Sequence, residues 1–158
     1  MEKKRRPVLR WLKSTSNRTF IVYPLAIFGI EAALQQVFPQ LNLWAMPLLL
    51  WGYLQYRLVG QYRLTLAGGG PGISTPPERL VTGGPYRYTR NPMYLAHLIF
   101  MLGLALVFRS WAGFALLAFH IIWFQRRVCS DEAHLADLFG ESYRLYHRTV
   151  KRWIPWLI

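Results

Sequence analysis

The sequence predicts an all-α integral membrane protein, with about four transmembrane helices and amphipathic cytoplasmic helices at its C-terminus. Three observations carry that expectation. Of the 158 residues, 53% are hydrophobic and 16% aromatic. The apolar residues gather into four runs, each close to the ~20 residues that cover the ~30 Å hydrocarbon layer. Threading those runs alternately across a bilayer leaves only Arg109, of 19 Lys and Arg, on the far side, as the positive-inside pattern requires. A helical bundle also satisfies its own backbone hydrogen bonds within lipid.

Residues 1–18 carry Lys3, Lys4, Arg5, Arg6, Arg10, Lys13 and Arg18, with Trp11 and Leu12 among them. This composition suits a cytoplasmic arm lying on anionic headgroups, or a disordered basic tail. The apolar run that follows is too long for a signal peptide and lacks a small-x-small cleavage site, so it is expected to be retained. It forms the first span, 19–38, interrupted by Glu31, for which Arg109 or His120 is a candidate partner. A turn at Pro39–Asn42 leads into the second span, 43–62, where Pro47 is a candidate kink. Arg57 and Arg63 mark its cytoplasmic end. Residues 63–92 then form a cytoplasmic loop with Gly68-Gly69-Gly70-Pro71-Gly72 and Pro76-Pro77. No Gly-Lys-Ser/Thr follows those glycines, so they are not a P-loop. A flexible lid or linker is the physical reading. The third span covers 93–108, with Asn91 as N-cap and Pro92 in the first turn. Arg109-Ser110 turn the chain into the fourth, 111–127, ending at Arg126-Arg127. Ser130 is placed to cap an amphipathic helix opened by Asp131 and Glu132. Gly140 is expected to end it, and Glu141–Val150 to begin another. Trp153 and Trp156 serve as interfacial anchors. The whole, 1–158, is a single domain with both termini in the cytoplasm.

The formal charge of +12 is compatible in isolation with nucleic-acid binding. The cations flank apolar spans, which argues against nucleic acid and for lipid. Cys129 is the only cysteine, so an intrachain disulfide and an all-cysteine zinc site are excluded. No His, Cys or carboxylate spacing fits a metal, and nothing resembles a Ser-His-Asp arrangement.

The densest stretch is Gly84-Pro85-Tyr86-Arg87-Tyr88-Thr89-Arg90-Asn91-Pro92-Met93-Tyr94. Its rings, arginines and prolines suit a site at the water–membrane boundary. The topology brings it, with His97, onto the same face as Arg126, Arg127, Asp131 and Glu132. Opposite charges at the mouth of a helical bundle can bind a zwitterionic or multiply charged small molecule. The bland readings are positive-inside arginines, interfacial tyrosines, acids serving a helix dipole, and histidines satisfied within the bundle.

Residues 84–94 resemble the first signature of integral-membrane methyltransferases: the isoprenylcysteine carboxyl methyltransferase family, with the phospholipid N-methyltransferases as relatives. The C-terminal residues are similar to the family's second signature. They run Asp131-Glu132-Ala133-His134-Leu135, then Phe139-Gly140-Glu141-Ser142-Tyr143-Arg144-Leu145-Tyr146, then Arg152-Trp153-Ile154-Pro155. The likeness covers roughly residues 78–156. Arg90-Asn91-Pro92 stands where eukaryotic isoprenylcysteine enzymes carry Arg-His-Pro, and resembles bacterial members. Asp131 stands where the first acid is commonly Glu.

The resemblance implies S-adenosylmethionine as methyl donor, held by residues 93–158 and the signature before them. It implies a membrane-borne lipophilic acceptor, either an isoprenoid or prenylcysteine-like carboxylate or a lipid headgroup, and a prokaryotic inner membrane as location. The cofactor-binding residues expected are Tyr86, Arg87, Tyr88, Arg90, Asn91, Pro92, Tyr94, His97, Asp131 and Glu132. Arg90 or Arg87 is placed to grip the donor's carboxylate, and Tyr94 to stack on adenine or meet the sulfonium. Arg127 is expected to orient the acceptor, and Glu132 to take a polar or general-base role. Such transfer depends mainly on proximity and alignment. The competing readings are a phospholipid N-methyltransferase specifically, a membrane reductase using a nicotinamide, and a non-enzymatic anionic-lipid-binding protein. Neither the acceptor atom nor the oligomeric state follows from the sequence.

Overall fold

The computed structural model describes residues 11–36, 39–68 and 77–153. Most of the basic arm, the centre of the glycine-rich loop and Trp156 lie outside them. Among the described residues there is no strand, and four main helices form the fold. They are α1 (Tyr23–Gln35), α2 (Met46–Ala67), α3 (Pro92–Phe108) and α4 (Trp111–Thr149). A short α-helical turn, Thr15–Asn17, and a π-helical turn, Arg18–Val22, lead directly into α1.

Helix α3 is the centre of the bundle. Eleven of its 17 residues are buried, and the stripe Leu95, Leu98, Ile99, Leu102 and Leu106 is partly exposed along one face. Two glycines let its neighbours approach closely. A Cβ on Gly52 of α2 would lie 2.6 Å from the backbone nitrogen of Phe100, and one on Gly103 would lie 2.8 Å from that of Leu49. The backbones of α2 and α3 are therefore nearly in contact. Gln55, just after Gly52, donates to the Pro92 carbonyl at 3.0 Å. Helix α3 ends at Arg109, which adopts a left-handed conformation. Ser110 then caps α4 by accepting from the Gly113 amide at 3.0 Å.

The expectation of four transmembrane helices is overturned: among the described residues, no helix is long and apolar enough to cross a membrane. Each run fails for a physical reason. In 19–38, regular α-helix covers only the 13 residues of α1, which stops where Gln36 turns left-handed. Helix α2 has 22 residues but carries Gln55, Arg57, Gln61 and Arg63. Helix α3 has only 17 residues. Helix α4 is long, but turns polar from Gln125 onward.

Other boundaries also differ. Pro47 sits in the first turn of α2, where its missing N–H costs nothing, so it starts the helix rather than kinking it. No helix ends at Arg126-Arg127, and Ser130 lies mid-helix rather than at a cap, because neither glycine nor proline interrupts α4 there. The bend comes at Gly140, at φ 55° and ψ −128°, a combination open essentially only to glycine. It turns Glu141–Thr149 back towards the start of α3. Glu31 accepts a hydrogen bond from Gln35 at 3.2 Å, and among the described residues it forms no ion pair with Arg109 or His120.

Candidate active site

The bend at Gly140 and the turn before α3 bring three distant segments together on one carboxylate. Glu132, on α4, is buried. Its Oε1 accepts from Arg90 Nε at 2.9 Å and from Asn91 Nδ2 at 3.2 Å. Its Oε2 accepts from Arg90 Nη2 at 3.3 Å and from Arg152 at 3.1 and 2.8 Å. His147 Nε2 stands 3.7 Å from the same oxygen.

Both arginines do more than neutralise the acid. Arg90 Nη1 donates to the carbonyls of His147 and Val150, and the Arg90 amide donates to the Lys151 carbonyl at 2.9 Å. Thr89 Oγ1 donates to the Arg152 carbonyl at 2.9 Å. Asn91 occupies the expected N-cap of α3, but its side chain makes no capping bond. Its amide instead donates to Glu132 and to the Arg152 carbonyl. The signature, α4 and the C-terminal turn are thus held by one charge-assisted knot.

Burial raises the Glu132 pKa, but hydrogen bonds and charge from Arg90 and Arg152 outweigh it, so the net shift is downward. The carboxylate is therefore ionised and fully engaged at neutral pH. His147 is also held below its ordinary value, by burial first and then by the Arg90 charge. Both shifts make acid destabilising. The contribution of Glu132 is fully present above the ordinary carboxyl value of 4.5, and is lost as pH falls through the lower folded value. Thermal unfolding followed from pH 7 to pH 3 should show the midpoint falling most steeply below about pH 4.5. Glu132→Gln should flatten that part of the curve.

Beside the knot opens a cleft of about 880 Å³, its solvent-filled mouth included. Arg63 and Ala67 of α2 and the segment Pro77, Leu80 and Val81 form one wall. Tyr86 and the run from Arg90 to Tyr94 form the floor. Asp131, Glu132, His134 and Leu135 of α4, with Tyr143 and Tyr146 beyond the bend, close the far side. Burial raises the phenols of Tyr86 and Tyr143 to about 12 and pushes that of Tyr146 up as well. They remain protonated donors. Tyr146 donates to the Tyr86 carbonyl at 2.7 Å, and Tyr94 to Asp131 Oδ2 at 2.6 Å.

Seven of the residues singled out in the sequence therefore line one cleft: Tyr86, Arg90, Asn91, Pro92, Tyr94, Asp131 and Glu132. Arg127 does not line it, but pairs with Asp131 at 3.2 Å from behind. Arg87 and Tyr88 are exposed. His97 is wholly buried in the bundle, stacked on Phe20 at 4.9 Å. Arg152, Tyr143 and Tyr146 also belong to the site, although the sequence places them only in the second signature and not among the expected binding residues. The signal for the tyrosines was their three-residue spacing after Gly140, which puts both on one helix face. Among the described residues no group of side chains could hold a metal ion.

Residues 41–142 match the profile of the phospholipid methyltransferase family. Protein-S-isoprenylcysteine O-methyltransferase of Schizosaccharomyces pombe is 35% identical over 78 residues, 48% of this chain and 33% of the relative. Methanethiol S-methyltransferase 1 of Bradyrhizobium diazoefficiens is 31% identical over 92 residues, 54% of this chain and 29% of the relative. Protein-S-isoprenylcysteine O-methyltransferase of Dictyostelium discoideum is 30% identical over 84 residues, 48% of this chain and 32% of the relative. The chain thus spans about a third of the length of these relatives.

Proposed function

The chain belongs to the phospholipid methyltransferase family, and from that premise we propose that it transfers a methyl group from S-adenosylmethionine to a lipophilic acceptor. The observation that carries this reading is the cleft itself: four tyrosines and two carboxylates beside the Arg90–Glu132–Arg152 knot.

The residues fit such a donor. Tyr86, Tyr94, Tyr143 and Tyr146 offer ring faces for adenine, Tyr86 and Tyr143 add hydroxyl donors for ribose, and aromatic faces attract a sulfonium. Asp131 supplies a carboxylate for its cationic groups, whereas Glu132 is already neutralised by Arg90 and Arg152. Once bound, the donor supplies an electrophilic methyl for in-line displacement. The chain's own contribution is to bind, orient and exclude water. Arg90 acts here as a positioning residue, because its guanidinium is engaged with Glu132 and two carbonyls. Glu132 likewise fixes the geometry rather than accepting a proton. The apolar wall of Ala67, Pro77, Leu80 and Val81 suits the acceptor's hydrocarbon body.

The surface supports association with lipid. Leu50, Leu54 and Leu58 of α2 are exposed at four-residue spacing, and Phe119, Ile121 and Ile122 of α4 are exposed as well. Contiguous apolar surface of this kind marks an interaction site, and lipid is the occupant that also brings the acceptor.

Purified protein incubated with radiolabelled donor and a total lipid extract should yield a labelled lipid identifiable by mass spectrometry. Absence of label from every lipid fraction, with folded protein, would contradict the proposal. Tyr94→Phe keeps the ring but removes the hydroxyl bonded to Asp131. It should weaken donor affinity by about tenfold, equivalent to ~1.4 kcal/mol. Unchanged affinity would take Tyr94 out of the donor site.

A further inference from the structure

The bend at Gly140 leaves a second cavity between the two limbs of α4. It is an open groove of about 750 Å³, its solvent-filled mouth included. Cys129, Ala133 and Ala136 line it from the limb before the bend. Arg144, His147 and Arg148 line it from the limb beyond, and Arg152 from the C-terminal turn. Helical spacing accounts for both walls. Residues 129, 133 and 136 are three or four positions apart, and 147 and 148 follow 144 by the same steps, so each set shares one helix face. Small side chains on one limb thus stand opposite long cations on the other.

The charges in the groove do not cancel. Glu132 is the one carboxylate among its lining residues, and it is met by both Arg90 and Arg152, at 2.9 and 2.8 Å. One positive charge is therefore left over at the knot. Arg148 supplies another, since among the described residues no carboxylate pairs with it. Arg144 meets Glu141 at 3.7 Å, but both side chains are largely exposed, and such pairs hold weakly. Arg152 and His147 converge on one Glu132 oxygen, at 2.8 and 3.7 Å, which fixes the inner end of the groove.

We propose that this groove is a second binding site, which takes a phosphate-monoester dianion, free or borne by a lipid. Two uncompensated positive charges match a dianion, and arginine forks suit phosphate oxygens. S-adenosylmethionine carries no phosphate, and an amine-bearing phospholipid headgroup is a phosphodiester with a single negative charge. The ligand is therefore distinct from the donor and from an acceptor headgroup of that kind. Glu132 and Tyr143 line both cavities, so the groove backs directly onto the cleft. The inference stands apart from the methyl-transfer reading and does not require it.

Cys129 is the only cysteine of the chain and is exposed, so its alkylation by iodoacetamide reports on the groove alone. The assay is run at constant ionic strength and about pH 8, where a phosphate monoester is dianionic. Phenyl phosphate is the soluble probe, mixed micelles of phosphatidic acid the lipid-borne one, and methyl phenyl phosphate the singly charged control. At least one dianion should slow alkylation saturably, and which of them does so identifies the source. Arg148→Gln removes the unpaired charge and should weaken that protection by at least about tenfold, the loss expected for one hydrogen bond to a charged group. Ala136→Leu fills the groove while keeping every charge, and should weaken protection as well. Arg126→Gln removes an exposed cation that does not line the groove, and should change nothing. No protection by either dianion, equal protection by the diester, or protection undiminished in Arg148→Gln and Ala136→Leu would overturn the site. Equal protection by S-adenosylmethionine would overturn it too, by assigning the groove to the donor.

Discussion

Glu132→Ala should abolish methyl transfer and cost about 3–5 kcal/mol of stability, the range for removing one partner of a buried ion pair. The cost arises from what stays behind. Arg90 and Arg152 would keep buried or half-buried guanidinium groups facing each other, and the Asn91 amide would lose its acceptor. The signature, α4 and the C-terminal turn would lose their common anchor. A displacement of about 1 Å at a reacting centre costs on the order of 10²-fold in rate, so transfer should fall by at least about that factor even in molecules that remain folded. Glu132→Gln keeps the shape and one acceptor oxygen, at the cost of an NH2 donor facing the arginines, and should be less severe. Denaturant unfolding and single-turnover transfer, measured on both variants, check this. A Glu132→Ala protein with wild-type stability would show that the knot does not hold the site together.

Gly52→Val should be the most damaging change away from the cleft, at about 3 kcal/mol, the upper end of typical overpacking costs. A Cβ there meets Phe100 backbone atoms at 2.6 and 2.8 Å. Backbone cannot rotate aside as a side chain can, so α2 and α3 must separate. The effect should reach the cleft, because Gln55 holds the Pro92 carbonyl at the start of α3, next to Met93 and Tyr94. Gly60→Ala is the matched control. Its Cβ would meet only the flexible end of Met93, at 3.4 Å. Thermal unfolding should rank Gly52→Val far below Gly60→Ala, which should remain near wild type. Equal stability of the two would mean that the helices do not pack at Gly52.

The site was more legible in the sequence than the fold was. Arg90 and Glu132 lie 42 residues apart, yet their charges and the paired signatures place them together. Tyr86, Asn91 and Tyr94 follow from the same stretch. His97 was carried along by proximity to the signature, but its position on α3 turns it into the bundle, and periodicity alone does not say which neighbour a helix face meets. Arg152 was hidden because its role depends on the bend at Gly140, which brings a residue 20 positions away back to Glu132. Counting apolar residues predicted membrane-crossing helices, but a count does not see where a helix stops. Gln36 turns left-handed without being glycine. The charged pair Arg126-Arg127 looks like an end, although nothing in its chemistry breaks a helix.

The central claim is that the tyrosine-lined cleft beside the Glu132 knot holds the methyl donor. Isothermal titration of the purified protein with S-adenosylmethionine, and with its demethylated product, tests it most directly. The account predicts saturable one-site binding of both, at least tenfold weaker in Glu132→Gln. A folded wild-type protein that takes up neither, or a Glu132→Gln variant that binds them as tightly as wild type, would contradict it.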